Sequence, residues 1–83
     1  MTVLTPALYR TTLQETLRDQ FGRLKSGAKQ LAAIAEVSVR TAENWLDGHC
    51  LPQGLALVKL QANCDAVKQA VTEMERLARG GRP

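Results

Sequence analysis

Two thiols and one imidazole are the side chains in this sequence that are typical of metal sites and of nucleophilic catalysis. His49 and Cys50 are adjacent, and Cys64 lies further along the chain beyond a proline-containing segment. Three candidate ligands without a fourth match no zinc spacing, and no constellation of Ser, His and an acidic residue can be singled out around His49. The sequence therefore predicts no metal site, no cofactor and no enzymatic activity, and the two cysteines are expected to be buried or incidental thiols.

The short segment Val39–Leu46, with Asp47 just beyond it, carries side chains that can form directed hydrogen bonds. Arg40 carries a planar guanidinium that can donate two parallel hydrogen bonds, and Asn44 can both donate and accept. Glu43 and Asp47 add two carboxylates, which can only accept when ionised. These are groups that recognise a pattern of donors and acceptors in a partner molecule.

Two short helices joined by a tight turn must position these side chains. The first is predicted to span Ala28 to Ala35, a run of strong helix formers. Its apolar residues recur at three- and four-residue spacing, which places them on one face that can be buried. These residues are Leu31, Ala32 and Ala35.

The second helix is predicted to begin after Ser38, whose hydroxyl can accept from the backbone N–H groups of the following turn. Glu36 and Val37 interrupt the helical pattern between the two helices. The residues expected on the inner side of the second helix are Ala42, Trp45 and Leu46. The residues expected on its outer side are Val39, Arg40, Glu43 and Asn44.

The spacing of these residues resembles the lambda-repressor and Cro type of helix-turn-helix DNA-binding domain. The matching residues are Leu31-Ala32 in the first helix, Val37-Ser38 at the turn, Trp45 in the core and Gly48 as the terminating glycine. The register from Leu31 to Gly48 needs no insertion or deletion. One departure is Glu36, where the family usually has a glycine in a left-handed conformation that costs other residues about 1–2 kcal/mol. The turn is therefore expected either to be slightly strained or to have a different backbone.

The resemblance implies an all-α, compact five-helix fold that binds double-stranded DNA sequence-specifically. It further implies a transcriptional regulator of the phage or mobile-element type, more often a repressor than an activator, which reads the major groove of an operator with helix 39–47. The base-reading residues would be Val39, Arg40, Thr41, Glu43 and Asn44. The phosphate-binding residues, at a helix N-terminus that favours anions, would be Arg23, Lys25, Ser26, Ala28 and Lys29.

Arg40 is the expected principal base reader within this set. Its guanidinium can donate to both O6 and N7 of guanine, a pattern that no other base pair presents in the major groove. The competing interpretation is that Arg40 pairs with Glu43 or Asn44 across one helical turn, an exposed contact worth only a few tenths of a kcal/mol. The sequence leaves both interpretations open.

An alternative function remains compatible with the sequence. The same scaffold could serve as a protein–protein interaction or antitoxin-like module, because Glu43 and Asp47 repel a phosphate backbone unless they accept from a base. The net charge of +3, from 11 Lys and Arg against 8 Asp and Glu, permits nucleic acid without demanding it.

Length and composition predict a single domain over residues 1–83, with flexible ends at 1–4 and 80–83. A chain this short is marginally stable alone, so a homodimer is expected. No apolar run approaches the roughly 20 residues that span a bilayer, so no membrane association is expected. A cytoplasmic location is the simplest, and no small-molecule ligand is expected.

The flanking segments are expected to complete the helical domain. A first helix over Pro6–Gln20 would be capped by Thr5, and Gly22–Gly27 would form a basic connector. A fourth helix, beginning at Gln53 or Gly54, is apolar almost all round and is expected to be wedged in the core. Its apolar residues are Leu55, Leu57, Val58 and Leu60.

A fifth helix is expected to follow, with Asn63 as its cap. Its apolar stripe contains Val67, Val71, Met74, Leu77 and Ala78. The first four of these are candidates for a dimer seam, although burial in the core of one chain is an equally good explanation. The two explanations differ in whether these side chains are accessible in a single chain.

Overall fold

The computed structural model describes residues 3–80, which contain five α-helices and no strand. The helices are α1 (Pro6–Leu17), α2 (Gly27–Ala35), α3 (Val39–Asp47), α4 (Gly54–Asn63) and α5 (Asp65–Ala78). The radius of gyration is 12.7 Å, close to the value of about 12 Å expected for a compact domain of this length. The prediction of a compact all-helical fold is confirmed. Most of the predicted flexible ends, residues 1–2 and 81–83, lie outside the described residues.

Helix α1 begins as the sequence predicts. The Thr5 hydroxyl accepts a hydrogen bond from the Leu8 N–H at 3.1 Å, and Pro6 occupies the first helical position, where a missing N–H costs nothing. Leu13 and Leu17, one helical turn apart, are fully buried. The cap and the apolar spacing together set the start and the inner face of this helix.

The end of α1 differs from the prediction. The helix continues through Arg18–Gly22 as a π-helical turn, whereas the sequence predicts an ordinary α-helix that ends near Gln20. In an α-helix, a side chain four positions further along points slightly past the direction of the first, because a turn takes fewer than four residues. The wider π turn reduces this rotation. Phe21 therefore stays in line with Leu13 and Leu17 and joins them in the core.

The start of α2 packs directly on the backbone of this π turn. A Cβ atom placed on Gly27 would overlap the carbonyl oxygen of Phe21, so only a residue without a side chain permits the approach. Gly27 is buried and is the first residue of α2. The contact fixes where α2 begins relative to α1.

The hydrophobic core is centred on α2 and α3, which contact each other more extensively than any other pair of helices. Aliphatic residues and alanine fill most of it, and Trp45 and Phe21 are its two large aromatic residues. The buried cluster consists of Leu13, Leu17, Phe21, Leu31, Ala32, Ala35, Ala42, Trp45, Leu60 and Val67. The inner faces predicted for α2 and for α3 at Ala42 and Trp45 are therefore confirmed, and Leu46 is partly buried beside them.

The prediction that α4 is wedged in the core is wrong. Only Leu60 is fully buried, whereas Leu55 and Val58 are 68% and 58% exposed. Helix α4 packs on α2 and α5, and these neighbours cover only one of its faces. The apolar composition of a helix does not indicate how many of its faces are covered. The opposite face of α4 is left as an exposed apolar surface.

The prediction that Asn63 caps α5 is also wrong. Asn63 is the last residue of α4, and its side-chain amide donates to the Lys59 carbonyl at 2.9 Å. Cys64 occupies the N-cap position of α5 without a side-chain hydrogen bond. The expected charges at the two ends of α5 are present, with Asp65 in the first turn and Arg76 in the last.

The apolar stripe of α5 lies mainly inside one chain. Val67 and Met74 are buried, with exposures of 0% and 4%, while Val71 and Leu77 are half-buried and Ala78 is exposed. A second copy of the chain cannot reach Val67 or Met74 without unfolding the domain, so these two residues are corrected from dimer candidates to core. Helix α5 packs chiefly on α1 and α4.

Candidate nucleic-acid interface

Helix α3 is held at its N-terminus by Ser38, as predicted. The Ser38 hydroxyl accepts from the Thr41 N–H at 3.1 Å and lies 2.9 Å from the Thr41 hydroxyl. Because the cap fixes the first turn, it also fixes the direction of Val39 and Arg40, which are both exposed. Val39 is 41% exposed, so an apolar side chain stands beside a cation at the start of α3.

The outer face of α3 is narrower than predicted. Glu43 is exposed beside Arg40, but Thr41 and Asn44 are only half-exposed. The Thr41 hydroxyl is already bonded to Ser38, which leaves it less available to a partner. The sequence predicts that Asn44 faces outward, and the structure places it at the edge of that face instead. Val39, Arg40 and Glu43 are therefore the most accessible of the five candidate base-reading residues.

Arg40 does not form the contact with Glu43 or Asn44 that would explain its presence on α3 without a binding partner. Within residues 3–80, its guanidinium makes no ion pair with Glu43 and no hydrogen bond to Asn44. By contrast, Arg76 and Glu73, which have the same three-residue spacing on α5, do form an ion pair. The donors of Arg40 are thus directed toward solvent on an exposed helix face.

The turn between α2 and α3 has the left-handed backbone that normally requires glycine. Glu36 has φ 57° and ψ 49°, and it is the one non-glycine residue with positive φ in the described chain. Its carboxylate is 2.5 Å from the ammonium of Lys59 on α4. The turn thus has the three-residue length Glu36–Ser38 with a strained backbone at Glu36. The ion pair with Lys59 connects this turn to α4.

The Lys59 ammonium also alters the ionisation of Glu36. Hydrogen bonding and charge attraction from Lys59 lower the pKa of Glu36 below its ordinary value of 4.5. Because the folded-state pKa is lower than the unfolded one, the pair stabilises the fold above about pH 4.5 and loses this effect as pH falls through the lowered pKa. The Glu36 side chain is exposed, so water and salt screen the contribution.

Two substitutions at Glu36 separate the backbone strain from the ion pair. Glu36→Gly and Glu36→Ala both remove the carboxylate, but only glycine relieves the left-handed strain. We expect the glycine variant to be more stable than the alanine variant by about 1 kcal/mol, measured by urea denaturation. Equal stability of the two variants would show that the turn adopts another backbone in solution.

The connector before α2 presents a group of exposed cations. Arg23, Lys25 and Lys29 are exposed, as is Ser26, whereas Ala28 is half-buried. The N-terminus of α2 has no side-chain cap, because the Ser26 hydroxyl accepts from the Gln30 side chain at 3.2 Å instead. That hydroxyl keeps its own hydrogen for an external acceptor. The start of α2 thus lacks a side-chain cap in a segment where Arg23, Lys25 and Lys29 are exposed.

A cleft that the sequence did not indicate lies at the other end of α3. It has a volume of about 410 Å³ between α1 and the loop that follows Gly48, and Arg10, Gln14 and His49 are among its lining residues. The Gln14 amide lies over Gly48, where any Cβ atom would overlap it. Arg10 and His49 are far apart in the sequence, so no local pattern could have revealed that they share a cleft.

The thiols and imidazole do not form a metal centre in the described chain. Residues 3–80 contain no group of three or more His, Cys, Asp and Glu side chains that could hold a metal ion. Cys50 is exposed, Cys64 is half-buried, and both are free thiols. Nor is any helix in this part of the chain long and apolar enough to cross a membrane.

The candidate interface is the exposed outer side of α3, and exposed cations also lie in the connector before α2 and, with Arg10, in the cleft after α3. Comparisons with protein-family models, with curated proteins and with solved structures each find no match to this chain.

Proposed function

We propose that this chain binds double-stranded DNA sequence-specifically and acts as a transcriptional regulator, with α3 placed in the major groove. The observation that carries the proposal is the position of Arg40. Within residues 3–80 its guanidinium forms no ion pair, and it lies in the first turn of α3 on the exposed face, next to the exposed Val39. An arginine so placed can donate two hydrogen bonds to guanine, and a valine beside it can pack on a thymine methyl group.

The surroundings of α3 support the same proposal. The uncapped start of α2, with Lys25 and Lys29 exposed beside it, suits a phosphate group that accepts from backbone amides and from a cation together. Arg10, which lines the cleft at the far end of α3, can supply positive charge for a second part of the backbone. The resemblance favours repression, by occupancy of an operator, over activation.

Selection of bound sites from a random pool of duplex DNA tests the proposal most directly. We expect an enriched sequence with at least one G·C pair that Arg40 reads. Affinity for both the selected and a random duplex should fall as salt rises, because bound phosphates release counterions. Failure to enrich any sequence, together with affinity that does not depend on salt, would refute the proposal.

The substitution Lys29→Ala tests the contact at the start of α2. We expect affinity to fall by the same factor on selected and random duplexes, and the slope of log affinity against log salt to decrease by roughly one. Arg79→Ala is the control, because it removes one positive charge from the exposed end of α5. If Lys29→Ala behaves like this control, α2 does not face the DNA backbone.

A protein-interaction module is the second candidate function, and the carboxylates on α3 favour it. Glu43 and Asp47 are both exposed on the helix that would face DNA, where each repels phosphate unless it accepts from a base such as cytosine. A module of this kind would bind random duplex weakly and without a steep salt dependence. The salt series therefore separates the two functions.

A further inference from the structure

The cleft between α1 and the loop after α3 is large enough to hold a small molecule. Its volume is about 410 Å³, and small-molecule sites typically measure about 300–1,000 Å³. The residues that line it come from Pro6–Gln14 on α1 and from Gly48–Gln53 in the loop that leads to α4. The sequence predicts no small-molecule ligand, so what this cleft can hold has to be judged from its lining residues.

Four of the side chains that line the cleft can donate hydrogen bonds. They are Tyr9, Arg10, Gln14 and His49. Within residues 3–80, none of these side chains forms a hydrogen bond or an ion pair with another residue. No acidic side chain of the described residues lines the cleft. The cleft therefore offers unpaired donors and the permanent positive charge of Arg10, a combination that suits an anion.

The position of the Gln14 amide is restricted by Gly48. A Cβ atom at Gly48 would overlap this amide, so the amide can lie against the end of α3 only because the residue there has no side chain. Gly48 also has a φ of 82°, which glycine adopts without strain. A donor that is already held in place loses less conformational freedom when a ligand binds.

The cleft also has an apolar part. Pro6, Leu51 and the ring of Tyr9 contribute to its lining. Tyr9 and Leu51 pack against the hydrophobic core, so their positions are set by the fold. Apolar groups combined with a few polar ones are typical of small-molecule sites, where the polar groups fix the orientation of the ligand.

The helix ends beside the cleft do not cancel the charge of Arg10. The C-terminus of α3, at Gly48, carries roughly half a negative charge, and the first turn of α1 carries roughly half a positive one. These partial charges oppose each other, and the guanidinium adds one full positive charge. The electrostatic balance of the cleft therefore favours an anion with a single negative charge.

We propose that this cleft binds a small monocarboxylate with a compact apolar body, such as an aromatic acid. The carboxylate accepts two parallel hydrogen bonds from Arg10, and Gln14 and His49 supply further donors. The apolar body packs on Tyr9 and Leu51. A phosphate dianion fits less well, because one guanidinium leaves its second negative charge unpaired.

Titration with benzoate tests the proposal on the protein alone. Benzoate should shift the backbone amide resonances of residues 9–14 and 48–53 saturably in proton–nitrogen NMR spectra. We expect a dissociation constant on the order of 1 mM, as for other ligands of this size. Benzamide, which has the same shape without the charge, should bind at least about tenfold more weakly. Acetate, which has the charge without the ring, should also bind more weakly than benzoate.

The substitution Arg10→Gln tests the residue that holds the carboxylate. We expect benzoate to bind at least about tenfold more weakly, because the charged pair of hydrogen bonds is lost. Arg18→Gln is the matched control, since Arg18 is exposed in the π turn that continues α1 but does not line the cleft. Circular dichroism should show both variants folded. Equal affinity of the wild type and Arg10→Gln would overturn the proposal.

Alkylation of Cys50 provides a second measurement. This thiol is exposed and lines the cleft, so saturating benzoate should slow its reaction with iodoacetamide severalfold. Cys64 lies outside the cleft and is the internal control, and mass spectrometry of the two peptides distinguishes the thiols. If benzoate slows both reactions by the same factor or neither, the ligand does not occupy the cleft and the proposal is wrong.

Inorganic phosphate distinguishes a small-molecule site from a contact to the DNA backbone. Phosphate should bind more weakly than benzoate. If it binds as tightly and displaces benzoate, the cleft recognises negative charge alone, which would overturn this inference and assign Arg10 to the proposed DNA interface. All of these titrations use the protein without DNA. Benzoate binding by a chain that selects no DNA sequence would therefore keep this inference and refute the proposed function, and the converse result would do the reverse.

Discussion

Replacing Arg40 with alanine is expected to weaken binding to the selected duplex by about 1–3 kcal/mol, or about 5- to 150-fold, with little loss on random duplex. The reason is that the guanidinium is exposed and forms no ion pair within residues 3–80. Its removal should therefore change the free energy of unfolding little, whereas base recognition loses two hydrogen bonds per half-site. Titration of both duplexes at one salt concentration measures the effect, and repeated site selection should show reduced preference at one G·C pair.

The control for this experiment is Arg79→Ala, which also converts an exposed arginine to alanine but lies at the end of α5. It should change both affinities by the same small factor. Equal large losses on both duplexes for Arg40→Ala would make Arg40 a phosphate contact. No loss on either duplex would favour the protein-interaction module, since the central residue of the proposed interface would then be dispensable.

The substitution Gly27→Ala is expected to lower the free energy of unfolding by about 3 kcal/mol. A Cβ atom at Gly27 would overlap the Phe21 carbonyl oxygen. Backbone atoms cannot rotate away as a side chain can, so α2 must move relative to the π turn. Overpacking of this kind costs typically 1–3 kcal/mol, and the rigidity of the neighbour places the value at the upper end. Urea denaturation followed by circular dichroism gives the change.

Gly22→Ala is the matched control for Gly27→Ala. Gly22 lies in the same π turn, but a Cβ atom there would be 3.4 Å from the Arg18 Cβ atom, an ordinary van der Waals contact. We expect a change within about 1 kcal/mol, because an added methyl group there meets no backbone and reduces the freedom of the unfolded chain. Similar losses for the two variants would show that the approach of α2 to the π turn is looser in solution.

The parts of the fold that depend on nearby residues could be predicted from the sequence. The caps at Thr5 and Ser38 are contacts between a side chain and an amide three residues away, so their signals are local. The buried faces of α2 and α3 follow from helical spacing in the same way. Because Glu36 stands where the family usually has glycine, the sequence left two possibilities for the turn, a strained backbone or a different one. The structure has the left-handed backbone, which implies strain.

The remaining features depend on contacts between distant segments, which residue spacing does not encode. Helix α2 packs on the π turn that ends at Gly22, and Gly27 makes the close contact with its backbone. The exposure of Leu55 and Val58 depends on which side of α4 its neighbours cover. The cleft that joins Arg10 to His49 exists only once α1 packs beside the loop after α3.

The burial of Trp45 makes the proposed recognition helix observable by its own fluorescence. The chain contains one tryptophan, and its side chain is 4% exposed on the inner face of α3. Its emission therefore reports whether α3 stays packed in the core, while far-ultraviolet circular dichroism sums over all the helices. If both signals change at one urea concentration, the domain unfolds as a unit. An earlier shift in emission would show that α3 separates from the core before the other helices melt.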